Sequence, residues 1–296
     1  MGHFKSVSKK KRFKNKIIFF ILLILLINIG NKYIKDNIHI EEKYVKHFLS
    51  NFMQRDIVIN NEKTYIEIPT GTQSVFYEEK EPIIYIYNTH QSEKYKYSKN
   101  NNFNLDYTVE FASLILKDYL EKLGIASVVE EASMNEVLKD NNLKYYQSYK
   151  GSRLLLEKSI IKYPTLKYFI DIHRDSSAYE KTTCQIDGKK YAKIMFVIGL
   201  EHDNYEKNKE LSIKLNNKIK NVNESLSRGI LEKKGAGVDG IYNQDFNENT
   251  ILLEIGGQYN EMEEVNNTLK ILADILYEYI MENIWKIRCI LSLKYF

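Results

Sequence analysis

The feature of this chain that most constrains its fold is a regular alternation of short apolar runs and longer amphipathic segments, beginning at Pro82. The short runs are rich in β-branched and aromatic residues, whereas the longer segments repeat their apolar residues at helical spacing. Such alternation with short connections is typical of an α/β domain, with a largely parallel sheet flanked by helices. Because the short runs are apolar throughout, we expect helices to cover both faces of the sheet.

The individual elements are predicted from these periodicities and from the Gly and Pro residues that interrupt them. The predicted strands are 83–87, 125–129, 166–172, 191–198 and 250–255, with a hairpin joining 182–186 to the fourth strand through Asp187-Gly188. The predicted helices are 106–123, 145–163, 205–219 and a closing helix over 265–280.

The N-terminal region predicts a membrane anchor. Seven Lys or Arg residues and no acid lie in the first 16 residues, and the apolar run 17–29 follows. No small-x-small cleavage site comes after this run, which favours an uncleaved signal anchor over a removed signal peptide. Positive charge on its N-terminal side predicts that residues 1–16 are cytoplasmic and that the chain beyond the anchor lies outside the cell membrane, as a single-pass protein. The predicted organisation is a basic segment 1–16, a transmembrane helix 17–34, a linker 35–80, the folded domain 81–284 and an apolar tail 285–296.

The charge distribution excludes nucleic acid as a partner of the folded domain. Without the seven N-terminal cations, the chain has 36 basic against 39 acidic residues. A surface that binds phosphates needs clustered basic charge, which this remainder lacks. The chain has two cysteines, Cys184 and Cys289, and we expect no disulfide framework from them.

Three ionisable residues fall at or near the ends of predicted strands: His90, His173 and Glu254. Parallel strands bring their carboxyl ends to one edge of a sheet, where ligands bind. Two histidines and a carboxylate at such an edge are typical of a catalytic zinc site. Glu254 lies within an otherwise apolar run, so its carboxylate must face a cavity or pair with a cation. Arg153 and Arg174 are the candidate cations.

For several residues near these three, more than one role is open. Asp171 or Asp175 could orient the imidazole of His173, as carboxylates commonly do beside metal ligands. Arg174 could hold a substrate carboxylate or neutralise Asp171. His202 follows another predicted strand and is a rival to the two chosen histidines.

The chain resembles the stage II sporulation protein P family of endospore-forming bacteria. The segments that carry the resemblance are IYIYNTHQSEKY (84–95), LKYYQSYKGSRLL (143–155), YFIDIHRDS (168–176), LSRGILEKKGAGVDGIYNQDF (226–246) and ILLEIGGQYNEMEEVNNT (251–268). The resemblance implies a membrane-bound peptidoglycan hydrolase that acts during engulfment of the forespore. The implied activity is that of an N-acetylmuramoyl-L-alanine amidase, with endopeptidase activity on peptide cross-links. The implied fold is similar to that of zinc amidases. Stage II sporulation proteins D and M are the implied partners.

The resemblance also implies roles for individual residues. His90 in THQSE and His173 in DIHRDS match Zn²⁺ ligands, and Glu254 in LLEIGG matches the catalytic carboxylate.

The third protein ligand is expected to be Glu93, which lies three residues after His90. Related amidases take a Glu from the first helix, which would nominate Glu110, and Glu130 at a strand end is a further alternative.

Two other functions compete with the amidase. One is a hydrolase with the same site that mainly cuts peptide cross-links, and the other is a non-catalytic membrane scaffold that binds wall or partners. The chain also departs from the family: the segment 35–80 is shorter than expected, and the C-terminal tail is unusually apolar, so it could pack on the domain or touch membrane.

Overall fold

The computed structural model describes residues 80–96 and 107–293, with side chains as far as residue 284. The predicted anchor 17–34 and the linker up to residue 79 lie outside the described residues. Within the described ranges, no helix has the length and apolar character needed to cross a membrane.

The elements alternate much as the sequence predicts. The strands are β1 (Ile84–Tyr87), β2 (Ser127–Val129), β3 (Tyr168–Asp175), β4 (Thr183–Ile186), β5 (Lys189–Ala192), β6 (Ile194–Gly199), β7 (Ser227–Lys233) and β8 (Thr250–Gly257). The helices are α1 (Val109–Lys122), α2 (Met134–Asp140), α3 (Ser148–Lys162), α4 (Tyr179–Thr182), α5 (Tyr205–Val222) and α6 (Met262–Leu293). Short 3₁₀ turns occupy Tyr145–Gln147, Glu224–Leu226 and Gln244–Phe246.

Six strands form the main sheet in the order β2-β1-β3-β8-β6-β7. The first four are mutually parallel, so the predicted largely parallel sheet is confirmed. β6 runs antiparallel to β8 and parallel to β7. The edge that holds the carboxyl ends of β1, β3 and β8 therefore holds the amino ends of β6 and β7.

The predicted hairpin is present, but one predicted strand is wrong. Asp187 and Gly188 both have positive φ, at 49° and 79°, as a two-residue hairpin turn between β4 and β5 requires. The predicted strand 191–198 is divided at Lys193, because the amide and the carbonyl of Lys193 form hydrogen bonds with other segments. The two halves of the predicted strand belong to different sheets. Apolar periodicity does not reveal such a division because both halves are β-prone.

Helices cover both faces of the central strands, as the apolar runs predicted. Tyr85 and Phe169 point to the face covered by α3, where Leu156 packs against them. Ile84 and Ile86 alternate with Tyr85 and are fully buried on the opposite face. Counting on by twos from Phe169 along β3 places His173 on the α3 face.

Candidate metal centre

The first two residues of the site lie in a tight turn directly after β1. The amide of Glu93 donates to the carbonyl of His90 at 3.0 Å, which closes the turn and brings both side chains together. Asn88 fastens this turn to the neighbouring strand, because its side-chain amide donates to the carbonyl of Ile172 at 2.7 Å. His173 follows Ile172, so the same bond places the turn beside the third residue.

His90, Glu93 and His173 form a group whose ligand atoms all lie within 4.8 Å of one another. Glu93 Oε1 is 3.9 Å from His90 Nδ1, and Glu93 Oε2 is 3.6 Å from His173 Nδ1. Ligands bound tetrahedrally to zinc at 2.0–2.1 Å would be separated by about 3.4 Å. Two nitrogens and one carboxylate oxygen are a donor set that catalytic zinc takes, so these residues fit the ion with small adjustments.

Glu254 lies beside this group. It is the register partner of His173 in the parallel pair of β3 and β8, so the two side chains project from the same face. Its Oε2 is buried and has no hydrogen-bond partner. Burial raises the pKa of Glu254 to about 7, with a further contribution from the negative charge of Glu93. A cation in the neighbouring group would favour the ionised form.

Asp171 is the aspartate that supports His173. It is fully buried, and its carboxylate accepts the amide of Thr89 at 2.9 Å and the hydroxyl of Thr89 at 2.6 Å. His173 Nε2 lies 3.0 Å from Asp171 Oδ1, poorly aligned for a hydrogen bond, so the contact is mainly electrostatic. Asp175 instead forms a salt bridge with Arg228 at 2.5 Å. The side of His173 that faces away from Glu93 is thus held by Asp171.

The support extends to two more segments. The Thr89 hydroxyl lies 2.8 Å from Ser152 Oγ in α3, and Ser152 Oγ accepts the side-chain amide of Asn243 at 2.9 Å. Asn243 adopts a left-handed conformation with φ of 55°, which Asn tolerates better than most residues. A buried polar network therefore connects the loop before β8 to Asp171.

The electrostatics of the site favour a cation. Burial would lower the pKa of His173, but the charges of Asp171 and Glu93 outweigh it and raise this pKa well above 6.5. Burial and the adjacent His173 lower the pKa of His90. The negative surroundings that raise the pKa of His173 would also attract a metal ion, and His173 binds such an ion in its neutral form.

The rival carboxylates are not in this group. Glu130 follows β2, and its carboxylate accepts the hydroxyl of Tyr85 and, at 2.6 Å, the amide of Ala132. Glu110 lies in the first turn of α1 and is not among the grouped ligand atoms. Of the three candidate carboxylates, Glu93 is the one that lies with His90 and His173.

His202 lies at the opposite edge of the sheet. It follows β6, and because β6 is antiparallel to β8, the carboxyl end of β6 points away from Glu254. The ring of His202 contacts Tyr205 instead. The topology removes this histidine as a rival.

Neither arginine suggested as a partner of Glu254 has that role. Arg153 forms a salt bridge with Asp245 at 2.8 Å. The guanidinium of Arg174 contacts the backbone carbonyls of Lys94 and Asp175 at 3.2 and 3.5 Å. The carboxylate of Glu254 thus faces the site without either guanidinium.

Comparison with known proteins identifies the family. The model of the stage II sporulation protein P family matches residues 25–277. The chain belongs to the stage II sporulation protein P family. It is 32% identical over 209 residues to stage II sporulation protein P of Bacillus subtilis strain 168, a match that covers 66% of this chain. The matched part is 50% of that relative, so the chain spans about half the length of the curated relative.

Solved structures also resemble this member of the stage II sporulation protein P family. The CwlD amidase of Clostridioides difficile, solved with the GerS lipoprotein, is 17% identical, with a TM-score of 0.45 over 68% of this chain and 97% of the other. The amidase AmiC2 of Nostoc punctiforme is 12% identical, with a TM-score of 0.38 over 67% of this chain and 97% of the other.

Sequence reasoning missed the tyrosines that surround the histidines in this stage II sporulation protein P chain. Tyr145 stacks on His90 with ring centres 5.5 Å apart and is 56% exposed. Tyr149 lies parallel to His173 at 6.4 Å and contacts Tyr242 edge-on at 5.2 Å. Two of the family segments hold these tyrosines, which is the signal that could have identified them.

Proposed function

We propose that this chain is a zinc-dependent peptidoglycan hydrolase of sporulation, an N-acetylmuramoyl-L-alanine amidase. The bond cleaved joins the lactyl carbonyl of muramic acid to the amine of L-alanine in the stem peptide. The observation that carries the proposal is the convergence of His90, Glu93 and His173 beside the buried, unpartnered Oε2 of Glu254. Membership of the stage II sporulation protein P family supports the role in sporulation.

The residues of the site have different roles in the reaction. His90, Glu93 and His173 would hold the zinc ion. The ion, when bound, supplies Lewis acidity that polarises a carbonyl group and lowers the pKa of a water molecule. Glu254 accepts a proton from the attacking water and returns it to the leaving amide nitrogen, so the C–N bond breaks and a carboxyl group forms.

Asp171 acts on this reaction through His173. Its charge lies against the ring nitrogen opposite the one that faces Glu93, so it fixes which nitrogen is available to the ion. It therefore positions the ligand without contacting the substrate.

Zinc content and digestion of isolated sacculi test the proposal. His90→Ala should lose both bound zinc and activity, because it removes a ligand. Glu254→Gln should keep its zinc and lose roughly 10²- to 10⁴-fold in rate, because only the proton acceptor is removed. Glu248→Gln is a matched control, since Glu248 is an exposed residue paired with Lys207.

The products decide among the competing functions. Mass analysis should show intact stem peptides and glycan freed of peptide. Cut cross-links with stems still attached to glycan would indicate an endopeptidase. Unchanged sacculi with the zinc-loaded protein would indicate a binding scaffold, and near-normal activity of Glu254→Gln would reject the role given to Glu254.

The proposal includes the location of the protein. Residues 17–34 anchor the chain in the cell membrane, with the hydrolase domain on the extracytoplasmic side, where peptidoglycan lies. Stage II sporulation proteins D and M are the partners expected there. Protease added to intact protoplasts should degrade the domain, and its protection would place it inside the cell.

A further inference from the structure

Arg174 presents a fixed guanidinium next to the candidate metal centre. It follows His173 directly, and its backbone amide donates to Glu93 Oε2 at 3.0 Å. Its side chain is held by the carbonyls of Lys94 and Asp175. Among the described residues, no carboxylate lies within salt-bridge distance of this guanidinium. A guanidinium that is held by hydrogen bonds and has no anionic partner among the described residues is suited to binding an anion of the substrate. Arg can form two parallel hydrogen bonds to a carboxylate.

A cavity of about 320 Å³ begins at Lys96, two residues after the Lys94 whose carbonyl accepts the Arg174 side chain. The residues that line it are Lys96, Tyr179, Lys190, Tyr259 and Glu261. The Asp175 carbonyl that contacts Arg174 also accepts the amide of Gln258 at 3.0 Å, one residue before Tyr259. The same backbone thus supports the guanidinium and one wall of the cavity.

The cavity has the character of a peptide subsite. Its two lysines have partners at the surface: Lys96 pairs with Glu261 at 2.9 Å, and Lys190 lies 5.5 Å from the ring centre of Tyr179. Exposed ion pairs contribute little and exchange readily with other partners. Tyr259 is 51% exposed and offers an apolar face to a peptide backbone.

We propose that Arg174 binds a carboxylate of the stem peptide and that the cavity beside it receives the residues that follow. The inference rests on the proposed function and adds the substrate chemistry that it prefers. The second stem residue is a glutamic acid joined onward through its side chain, which leaves its main-chain carboxylate free. That group lies within about 7 Å of the cleaved bond, since each residue spans at most 3.3–3.6 Å. The Arg174 backbone contacts Glu93 Oε2 at 3.0 Å, so its side chain begins at the edge of the site.

Two muramoyl-peptides that differ in this one group test the proposal. One has the free carboxylate, and the other has a neutral amide in its place. Arg174→Gln should lower kcat/KM on the free acid roughly 10- to 100-fold, the range for losing a hydrogen bond to a charged group. On the amidated substrate the same change should cost less than about threefold, because no charge pair is lost. Zinc content should not change, because the Arg174 side chain contacts neither Glu93 nor His173.

Arg153→Gln is the matched control, since this arginine is paired with Asp245. It should leave the ratio between the two substrates unchanged. Equal losses on both substrates for Arg174→Gln would overturn the inference and leave the proposed function intact.

A binding measurement distinguishes the role of Arg174 from the proposed function. Calorimetry with Glu254→Gln protein should show tighter binding of the acid than of the amide, and adding Arg174→Gln should remove the difference. This result needs no turnover, so failure of wild-type protein to cleave either substrate would reject the proposed function alone. Absence of any preference for the acid would overturn the role of Arg174.

The cavity is tested by stem length. Tyr259→Ala should raise KM for stems of three or more residues and leave the KM for a two-residue stem unchanged. Equal effects on both lengths would overturn the part of the proposal that concerns the cavity.

Discussion

Asp171→Asn changes the charge behind His173 with little change of shape. Asp171 accepts two hydrogen bonds from Thr89 and lies 3.0 Å from His173 Nε2. The carboxamide of Asn can accept through one oxygen only, so its NH₂ group must face one of these donors. When this NH₂ group faces the Thr89 hydroxyl, it donates to the hydroxyl oxygen, and the hydroxyl donates to Ser152 Oγ instead. Both contacts with Thr89 are therefore kept, but neither involves a charged group.

The magnitudes follow from these contacts. A hydrogen bond to a charged group contributes about 1.5–3 kcal/mol, and one between neutral groups about 0.5–1.5 kcal/mol. Since both contacts with Thr89 change from charged to neutral, we expect Asp171→Asn to lower the free energy of unfolding by about 2–3 kcal/mol. Zinc affinity should fall about 10- to 100-fold, because the imidazole loses the carboxylate that orients it. Domains have about 5–15 kcal/mol of stability, so the variant should still fold.

Urea unfolding without zinc and zinc titration against a competing chelator measure the two effects separately. Thr89→Val is the control: it removes the hydroxyl but keeps the amide bond and the charge of Asp171. It should lower stability by about 1–3 kcal/mol and change zinc affinity less than about threefold. Asp171→Asn protein that bound zinc as tightly as the wild type would refute the role of Asp171.

Four further substitutions have expected outcomes. Glu93→Gln should weaken zinc binding in the same titration, whereas Glu130→Gln should leave it unchanged, because the Glu130 carboxylate already accepts hydrogen bonds at the end of β2. Gly199→Ala should destabilise the fold by about 1–3 kcal/mol in urea, since its Cβ would lie 2.3 Å from the Gly240 carbonyl. Burial alone would raise the pKa of Asp175, but its salt bridge to β7 lowers it below 3.8. Asp175→Asn should therefore reduce stability at pH 7, and the difference from wild type should shrink as pH falls through that lowered pKa.

Much of the fold could be predicted because its strands are buried on both faces. All four residues of β1 and all six of β6 are buried, which produces apolar runs that are easily recognised. β7 is missed because the edge strand Ser227–Lys233 has charged and half-buried residues in place of an apolar run. α2 was missed because a helix of seven residues offers too few turns for a periodic signal.

The site was predictable to the extent that topology determines it. His90 and His173 follow from parallel strands that end at one edge, a rule that needs only the order of the elements. His202 was left as a rival because nothing in the apolar run of β6 shows its direction. The choice of Glu93 over Glu110 and Glu130 depends on the turn after β1, whose geometry is set by hydrogen bonds from residues distant in sequence.

The direction of β6 also explains why Glu254 has its particular setting. β8 lies where the sheet changes from parallel to antiparallel, so Glu254 has His173 as its neighbour on β3 and Met195 as its neighbour on β6. Met195 is buried, and its side chain offers no hydrogen-bond donor to the carboxylate. A Glu in an apolar strand contradicts the local pattern, and such contradictions are expected at functional sites. The fold resolves it by placing the carboxylate beside the candidate metal group on one side and beside a side chain that cannot donate a hydrogen bond to it on the other.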